Sequence, residues 1–209
     1  MAKLYFRYGA MNCGKTALLL QSVHNYEDRG KKVLVMKPII DTKGNNKVVS
    51  RIGLERDVDH LIDKEEKLYD YIVSHDEDIS CIFVDEAQFL KRDQVDDLLH
   101  VTVTEDIPVI CFGLRTDFAS KGFEGSTRLL ELAHSIEEMK TICRCGKKAT
   151  FNARMVDGEF VFDGDQVAID GEKQVTYDSL CPKCYFEEKE KYFNKEKSKV
   201  LLKQRKNQF

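Results

Sequence analysis

Short apolar runs alternate with amphipathic stretches along the first two thirds of the chain, and this alternation predicts the order of its elements. Four apolar runs have the length of buried strands: residues 3–8, 33–36, 81–89 with its acidic end, and 108–114. Four stretches have the apolar spacing of helices: residues 17–30, 62–75, 94–103 and 125–136. Strands that alternate with helices in this way favour an α/β fold built on a parallel sheet.

Three segments depart from this alternation. Residues 41–60 are polar and rich in turn residues, which predicts a mobile loop. Residues 141–186 contain short β-like pieces and two close cysteine pairs, but no convincing helix. Residues 187–209 hold eight Lys/Arg against four Asp/Glu, which indicates a solvated helix or a frayed tail, with a polyanion-binding tail as the alternative. We therefore expect three parts: residues 1–140, 141–186 and 187–209.

Composition and charge narrow the classes of protein that this pattern allows. With 209 residues, 42% of them hydrophobic, the chain can form one globular domain with a small appendage. Its net charge of −3 argues against the broad basic field of a nucleic-acid-binding protein. No apolar stretch approaches the roughly 18 residues of a membrane span, and none resembles a secretory signal. We therefore expect a cytoplasmic protein with neither nucleic acid nor membrane as a partner.

A glycine-rich segment lies between the first predicted strand and the first predicted helix. It fits the pattern G-x-x-x-x-G-K-[ST] at every position: Gly9, Ala10, Met11, Asn12, Cys13, Gly14, Lys15 and Thr16. Glycines let the backbone N–H groups approach phosphate oxygens, and the following helix directs its positive end at them. The motif predicts a P-loop that binds ATP, with Lys15 on the β- and γ-phosphates and Thr16 on Mg²⁺. The alternative is a chance glycine turn beside a surface lysine.

Two acids stand at the end of the third predicted strand. Asp85 and Glu86 follow an apolar run, at the end of a parallel strand where ligands bind. Asp85 is expected to hold Mg²⁺, and Glu86 to accept a proton from an attacking hydroxyl. That hydroxyl belongs to water in an ATPase and to a substrate alcohol in a kinase. The alternative is a surface acidic pair at the start of a helix.

Four of the seven cysteines form two close pairs. Cys143 and Cys145 have C-x-C spacing, whereas Cys181 and Cys184 have C-x-x-C spacing. Four thiolates satisfy a tetrahedral Zn²⁺ and leave no open position, so this pattern predicts a structural zinc site. The alternatives are free thiols, or disulfides, which a reducing compartment disfavours.

These motifs together resemble the thymidine kinases of the cellular, zinc-containing type, in particular their bacterial branch. The resemblance runs from about Leu4 to Cys184 and rests on YGAMNCGKT, SRIGL, VDEAQF, GLRTDF and the cysteine pairs. It implies an α/β P-loop (RecA-like) parallel sheet with helices on both faces, plus a small zinc-ribbon-like lobe that bears a lasso loop. It also implies a homotetramer that is feedback-inhibited by dTTP. The implied reaction transfers the γ-phosphoryl of ATP to the 5′-hydroxyl of thymidine, and of deoxyuridine, in nucleotide salvage.

The resemblance also assigns roles to individual residues. Glu86 matches the general base and Arg51 a residue that reaches the phosphates, while Asn152 lies where the family places a residue near the thymine methyl. Tyr177 matches a tyrosine of the lasso loop, and backbone groups near Val167 and Ile169 would bind the base edge. The walls of the thymine pocket match Met11, Phe89, Leu114, Phe118 and Phe123. Ordinary core packing is the alternative for Leu114, Phe118 and Phe123.

Two other classes of function remain open from the sequence. A P-loop ATPase acting on a macromolecule would hydrolyse ATP without any nucleoside. A zinc-ribbon nucleic-acid binder with a vestigial P-loop would bind nucleic acid in a salt-sensitive way, although the chain lacks interleaved basic and aromatic residues.

Overall fold

The computed structural model describes residues 1–39, 46–74, 78–166 and 174–206, with side chains described as far as residue 198. Its first part contains eight strands: β1 (Leu4–Gly9), β2 (Lys32–Pro38), β3 (Lys47–Val49), β4 (Glu55–Asp57), β5 (His60–Ile62), β6 (Ile79–Val84), β7 (Val109–Gly113) and β8 (Ser135–Met139). Four helices are interspersed among them: α1 (Lys15–Glu27), α2 (Leu68–Val73), α3 (Arg92–Thr104) and α4 (Glu124–Leu132).

Six of these strands form one parallel sheet in the order β5-β2-β6-β7-β1-β8. One face packs against α1 through Leu19 and Val23, which join a cluster with Val35 and Phe83. The opposite face packs against α2, α3 and α4 in a second cluster. The inner strands are covered on both sides, which explains why their sequences are continuously apolar. The predicted α/β fold with helices on both faces of a parallel sheet is confirmed.

The predicted helix at residues 62–75 is shorter than its sequence pattern indicates. Helix α2 spans only Leu68–Val73, and its Leu68 and Ile72 are buried. Ile62 instead ends β5, where it pairs with Pro38 and is almost completely buried. Pairing with the edge of β2 therefore outweighs the local helical spacing at this position.

Two further predictions were wrong because strands form where none was expected. Residues 47–57, assigned to a mobile loop, form the β3–β4 hairpin, and Ser50 closes its turn by bonding with Leu54. Residues 135–136, assigned to the end of a helix, belong to β8, since α4 ends at Leu132. Strand β8 pairs with β1 at the edge of the sheet, a non-local contact that the local pattern does not reveal.

The second part of the chain is antiparallel. It consists of β9 (Thr141–Ile142), β10 (Lys148–Ala149), β11 (Phe151–Val156), β12 (Glu159–Val161) and β13 (Val175–Leu180), followed by helix α5 (Pro182–Lys206). Strands β9 and β10 form a hairpin, and β11 lies between β12 and β13. Tyr185 and Phe162 are buried at the centre of its small core.

Helix α5 corrects the expectation that residues 141–186 lack a helix. It begins directly after Cys181 and continues across residue 186 to Lys206, so the described part of the charged tail is helical. The proposed division of the chain at residues 140 and 186 stays a prediction. Within the described residues, no helix has both the length and the apolar character needed to span a bilayer.

Candidate active site

The glycine-rich loop connects β1 to α1 at the carboxyl edge of the sheet. Asn12 and Gly14 adopt left-handed backbone conformations, with φ of 65° and 83°. At Gly9, a side chain would bring its Cβ within 2.4 Å of Cys13 Sγ and 2.7 Å of Met139 O, so only glycine fits there. Lys15 Nζ donates to Ala10 O across the loop at 3.1 Å. The loop thus has the tight, lysine-bearing shape that the motif predicts.

Asp85 lies beside this loop, directly after β6. Its Oδ2 accepts from Thr16 Oγ1 at 3.4 Å, and its Oδ1 accepts from the Glu86 N–H at 3.0 Å. Burial and, to a smaller extent, the neighbouring Glu86 carboxylate raise the pKa of Asp85 to about 7. A buried carboxylate next to a hydroxyl is a pair of hard oxygen donors, and a divalent cation there would compensate the buried charge. Thr16 and Asp85 therefore fit a Mg²⁺ site.

Glu86 projects from a backbone in the left-handed region, with φ of 52°. Gln88 Nε2 donates to Glu86 Oε2 at 2.5 Å, while Gln88 Oε1 accepts from the Leu114 N–H at 3.0 Å. Gln88 is 1% exposed, so its amide joins Glu86 to the end of β7 inside the protein. Gln88 was not among the predicted site residues, although it lies inside the VDEAQF segment that contains the two acids.

One cavity of about 330 Å³ brings these features together. The loop and the start of α1 contribute Met11, Asn12, Gly14, Lys15 and Thr16, and the β3–β4 hairpin contributes Arg51. Glu86 and Leu114 complete the wall from the neighbouring strands. Eight of the residues singled out from the sequence therefore line this cavity: Met11, Asn12, Gly14, Lys15, Thr16, Arg51, Glu86 and Leu114.

The aromatic residues expected around a base are close to one another, but not all of them are accessible. Phe89 and Phe123 meet edge to face, with ring centroids 5.5 Å apart. Phe118 and Phe123 are buried, as core packing also requires. Tyr177 lies in β13 rather than in a loop. Val167 and Ile169 fall outside the described residues.

Arg154 is a buried cation among these aromatic residues that the sequence analysis did not identify. Its guanidinium carbon lies 3.7 Å from the centroid of the Phe118 ring, and its Nε donates to Tyr177 Oη at 3.3 Å. Its second terminal nitrogen donates to the carbonyls of Asp165 and Gln166. No local sequence signal marks Arg154, because its partners come from distant parts of the chain.

The two cysteine pairs converge at the start of α5. The Sγ atoms of Cys143, Cys145, Cys181 and Cys184 all lie within 4.8 Å of one another, and Cys145 Sγ is 3.5 Å from Cys181 Sγ. Bonds of about 2.3 Å in a tetrahedral zinc site give sulfur–sulfur distances of roughly 3.8 Å. All seven cysteines of the chain are free thiols. Four converging thiols therefore fit a closed, structural Zn²⁺ site, and they do not form disulfides.

The fold and the site together define a nucleotide-binding α/β protein of the P-loop class that carries a cluster of four cysteines. The family model described as "Thymidine kinase" matches residues 2–185. The thymidine kinase of Enterobacteria phage T4 is 48% identical over 187 residues, covering 88% of this chain and 95% of that protein. Those of Streptococcus gordonii and Shewanella oneidensis are 47% and 45% identical, each over at least 89% of this chain and 97% of the relative. The chain belongs to the thymidine kinase family.

This membership confirms the resemblance drawn from the motifs. Family and relatives support thymidine kinase function, hence a phosphotransferase that uses ATP. The roles of individual residues stay predictions at this point.

Proposed function

We propose that this protein transfers the γ-phosphoryl group of ATP to the 5′-hydroxyl of thymidine, giving dTMP and ADP. The observation that carries the proposal is the single cavity in which the glycine-rich loop, Arg51 and Glu86 meet. A phosphoryl transfer needs little covalent help from the protein, so it depends on position and on charge, which these groups supply.

The loop would hold the triphosphate. Its backbone N–H groups and Lys15 would bind phosphate oxygens, and the N-terminus of α1 adds a favourable partial charge. Arg51, on the hairpin across the cavity, would contact the phosphates from the opposite side. Thr16 and Asp85 would hold Mg²⁺, which when bound neutralises part of the phosphate charge.

Glu86 would act as the general base of the reaction. Its carboxylate takes the proton of the 5′-hydroxyl while that oxygen forms a bond to the γ-phosphorus. The bond between the γ-phosphorus and its bridging oxygen breaks, and ADP leaves with those electrons. Gln88 would keep the carboxylate oriented, since its amide is itself held by the Leu114 N–H.

The nucleoside would lie between the loop and the aromatic residues of both parts of the chain. Flat, partly apolar thymine suits walls formed by Met11, Phe89, Leu114, Phe118, Phe123 and Tyr177. We further propose that backbone groups near Val167 and Ile169 bind the polar edge of the base, which would exclude bases whose polar edges stay unpaired.

We also propose that the four converging cysteines bind Zn²⁺ and that the protein is cytoplasmic. A homotetrameric assembly and feedback inhibition by dTTP rest on the family resemblance alone. Acceptance of deoxyuridine in place of thymidine belongs with them.

The test is a coupled ADP-release assay over a panel of nucleosides that includes thymidine and deoxyuridine. We expect ADP release to require an acceptor nucleoside and to match the dTMP formed, one for one. Equal ADP release without any nucleoside would instead favour the ATPase alternative and would contradict the proposal.

A further inference from the structure

The backbone of Met11, in the middle of the glycine-rich loop, is held by two side chains from the second part of the chain. The Met11 N–H donates to Asn152 Oδ1 at 2.8 Å. The Met11 carbonyl accepts from the hydroxyl of Ser179. Both polar groups of one residue in the loop are thus bound by residues more than 140 positions away.

The two side chains form one unit. Asn152 and Ser179 are directly paired across strands β11 and β13, and they are only 4% and 3% exposed. Asn152 Nδ2 also donates to Thr116 O at 2.8 Å, which orients its amide so that the oxygen faces Met11. Every polar group of this pair is satisfied, as expected of a buried network that determines one geometry.

This pair, which we name the Met11 clamp, is continuous with the cysteine cluster. Ser179 stands two residues before Cys181, and the Leu180 carbonyl between them accepts from the Thr150 N–H. Asn152 follows two residues after Thr150 on the same segment. The position of both clamp side chains therefore follows the fold around the four cysteines.

We propose that Asn152 and Ser179 are positioning residues for the phosphate-binding loop, so that affinity for ATP depends on the second part of the chain. The inference rests on the proposed role of the loop in binding ATP. Asn12, next to Met11, has a left-handed backbone that persists only where its surroundings hold it. Without the clamp, the loop occupies its binding conformation for a smaller fraction of the time, and apparent affinity falls by that fraction.

The experiment measures binding of a non-hydrolysable ATP analogue with Mg²⁺, by calorimetry and without nucleoside. The variants Asn152→Ala and Ser179→Ala are compared with the unchanged protein. We expect the dissociation constant to rise by about tenfold for Asn152→Ala, which removes the partner of both the Met11 N–H and the Thr116 carbonyl, and by less for Ser179→Ala. Thermal midpoint and metal content are recorded for each variant.

Thr102→Ala is the matched control. Thr102 is buried in α3, far along the chain from the loop, and its hydroxyl donates to Leu99 O at 2.7 Å. Its removal should lower the thermal midpoint without changing the affinity for the analogue. If Thr102→Ala weakened binding as much as the clamp variants, general destabilisation would explain the effect and the inference would be wrong.

Unchanged affinity for the analogue in folded clamp variants would also overturn the inference. If Asn152→Ala fails to fold, the affinity of Ser179→Ala alone tests it. Lys15→Ala separates this result from the proposed function. Loss of analogue binding in Lys15→Ala, with normal binding in the clamp variants, would reject the clamp alone. Normal binding in Lys15→Ala would reject the loop as the ATP site.

Discussion

At the scale of single residues, the surroundings of Glu86 hold both its backbone conformation and the direction of its carboxylate. A non-glycine residue with positive φ is uncommon, and such strain is concentrated at functional sites. Glu86 has this conformation, its N–H is bound by Asp85, and its side chain is bound by Gln88. A general base needs such a defined direction, because proton transfer requires hydrogen-bonding distance to the substrate hydroxyl.

Replacing Glu86 by Gln should lower kcat by about 10²–10⁴-fold, because the amide cannot accept the proton of the hydroxyl. Binding of the ATP analogue should stay close to normal, since the loop is unchanged. Steady-state kinetics with thymidine and calorimetry with the analogue measure the two effects. Glu105→Gln serves as control, since this exposed acid accepts from Tyr69 Oη away from the loop. Near-normal turnover in Glu86→Gln would remove Glu86 from the role of base.

Asp85 gives a second prediction, because its buried carboxyl destabilises the protein when it ionises. Its pKa is about 7 in the folded chain, compared with about 3.9 in an unfolded one. The destabilisation of the folded state by the ionised carboxylate is absent below pH 4, grows as the pH rises towards 7, and is complete above that value. Asp85→Asn should therefore stabilise the protein at pH 8, by on the order of 1–3 kcal/mol, and have no such effect at pH 4.

Urea denaturation at both pH values, without added Mg²⁺, measures this difference, and activity should be lost in the same variant. The amide can still accept from the Glu86 N–H and donate to Thr16, so packing is conserved. Equal stabilisation at pH 4 and pH 8 would show that charge is not the cause.

At the scale of elements, the turn that follows Glu86 is packed directly against the start of α4. This short 3-10 turn, Ala87–Phe89, lies so close to α4 that a Cβ on Gly125 would come within 2.5 Å of Ala87 O and 2.8 Å of Leu90 O. Backbone atoms on both sides of the contact leave no side chain that could move aside. The close approach therefore depends on glycine at this position.

Gly125→Ala should lower the free energy of unfolding by about 1–3 kcal/mol, and it should also reduce kcat by displacing the turn that bears Phe89. Gly122→Ala is the matched control, since its new Cβ would meet only the side-chain hydroxyl of Thr127, at 2.9 Å. Because the Thr127 side chain can rotate away, Gly122→Ala should lower the free energy of unfolding less than Gly125→Ala does. Denaturation curves of both variants provide the comparison, and equal losses would contradict the steric argument.

Some strands could be predicted from the sequence and others could not, and burial explains the difference. Strands β2, β6 and β7 have neighbours on both sides and both faces, so their continuous apolar runs predicted them correctly. Strands β3, β4, β5 and β8 lie at edges or in a small hairpin, with polar residues among the apolar ones. Strands β5 and β8 pair with β2 and β1, which are distant in the chain, and β3 and β4 are only three residues each, so no local apolar pattern marks any of the four.

The candidate site likewise contains residues that could be predicted from the sequence and residues that could not. Its phosphate-binding half could be predicted because one continuous motif supplies most of its groups. Gln88, Arg154 and the Met11 clamp could not, since each acts by joining segments that are far apart in the sequence.

At the scale of the whole molecule, the four cysteines lie together in a part of the chain whose own core is small. Its buried cluster contains few large side chains besides Phe162 and Tyr185, and lobes with so little core need a crosslink. We expect one Zn²⁺ per chain by metal analysis. Cys184→Ser should lose the metal and lower the thermal midpoint, because three thiolates leave the site open.

Cys111→Ala is the control, as this buried cysteine in β7 lies outside the cluster. It should keep its metal even though a core side chain is truncated. A metal-free protein that is fully folded and active would contradict the prediction.

The place of β1 inside the sheet has a consequence for the order in which the protein can be completed during its synthesis. Leu4 pairs with Val109, and Tyr5 pairs with Ser135. Strand β1 therefore cannot pair in the sheet until residues more than a hundred positions later have been synthesised. The hydrogen bond that holds the Met11 carbonyl in the following loop can form only later still, once Ser179 has been synthesised. A nascent chain thus carries its nucleotide-binding motif long before the loop can be completed, because Ser179 follows Met11 by 168 residues.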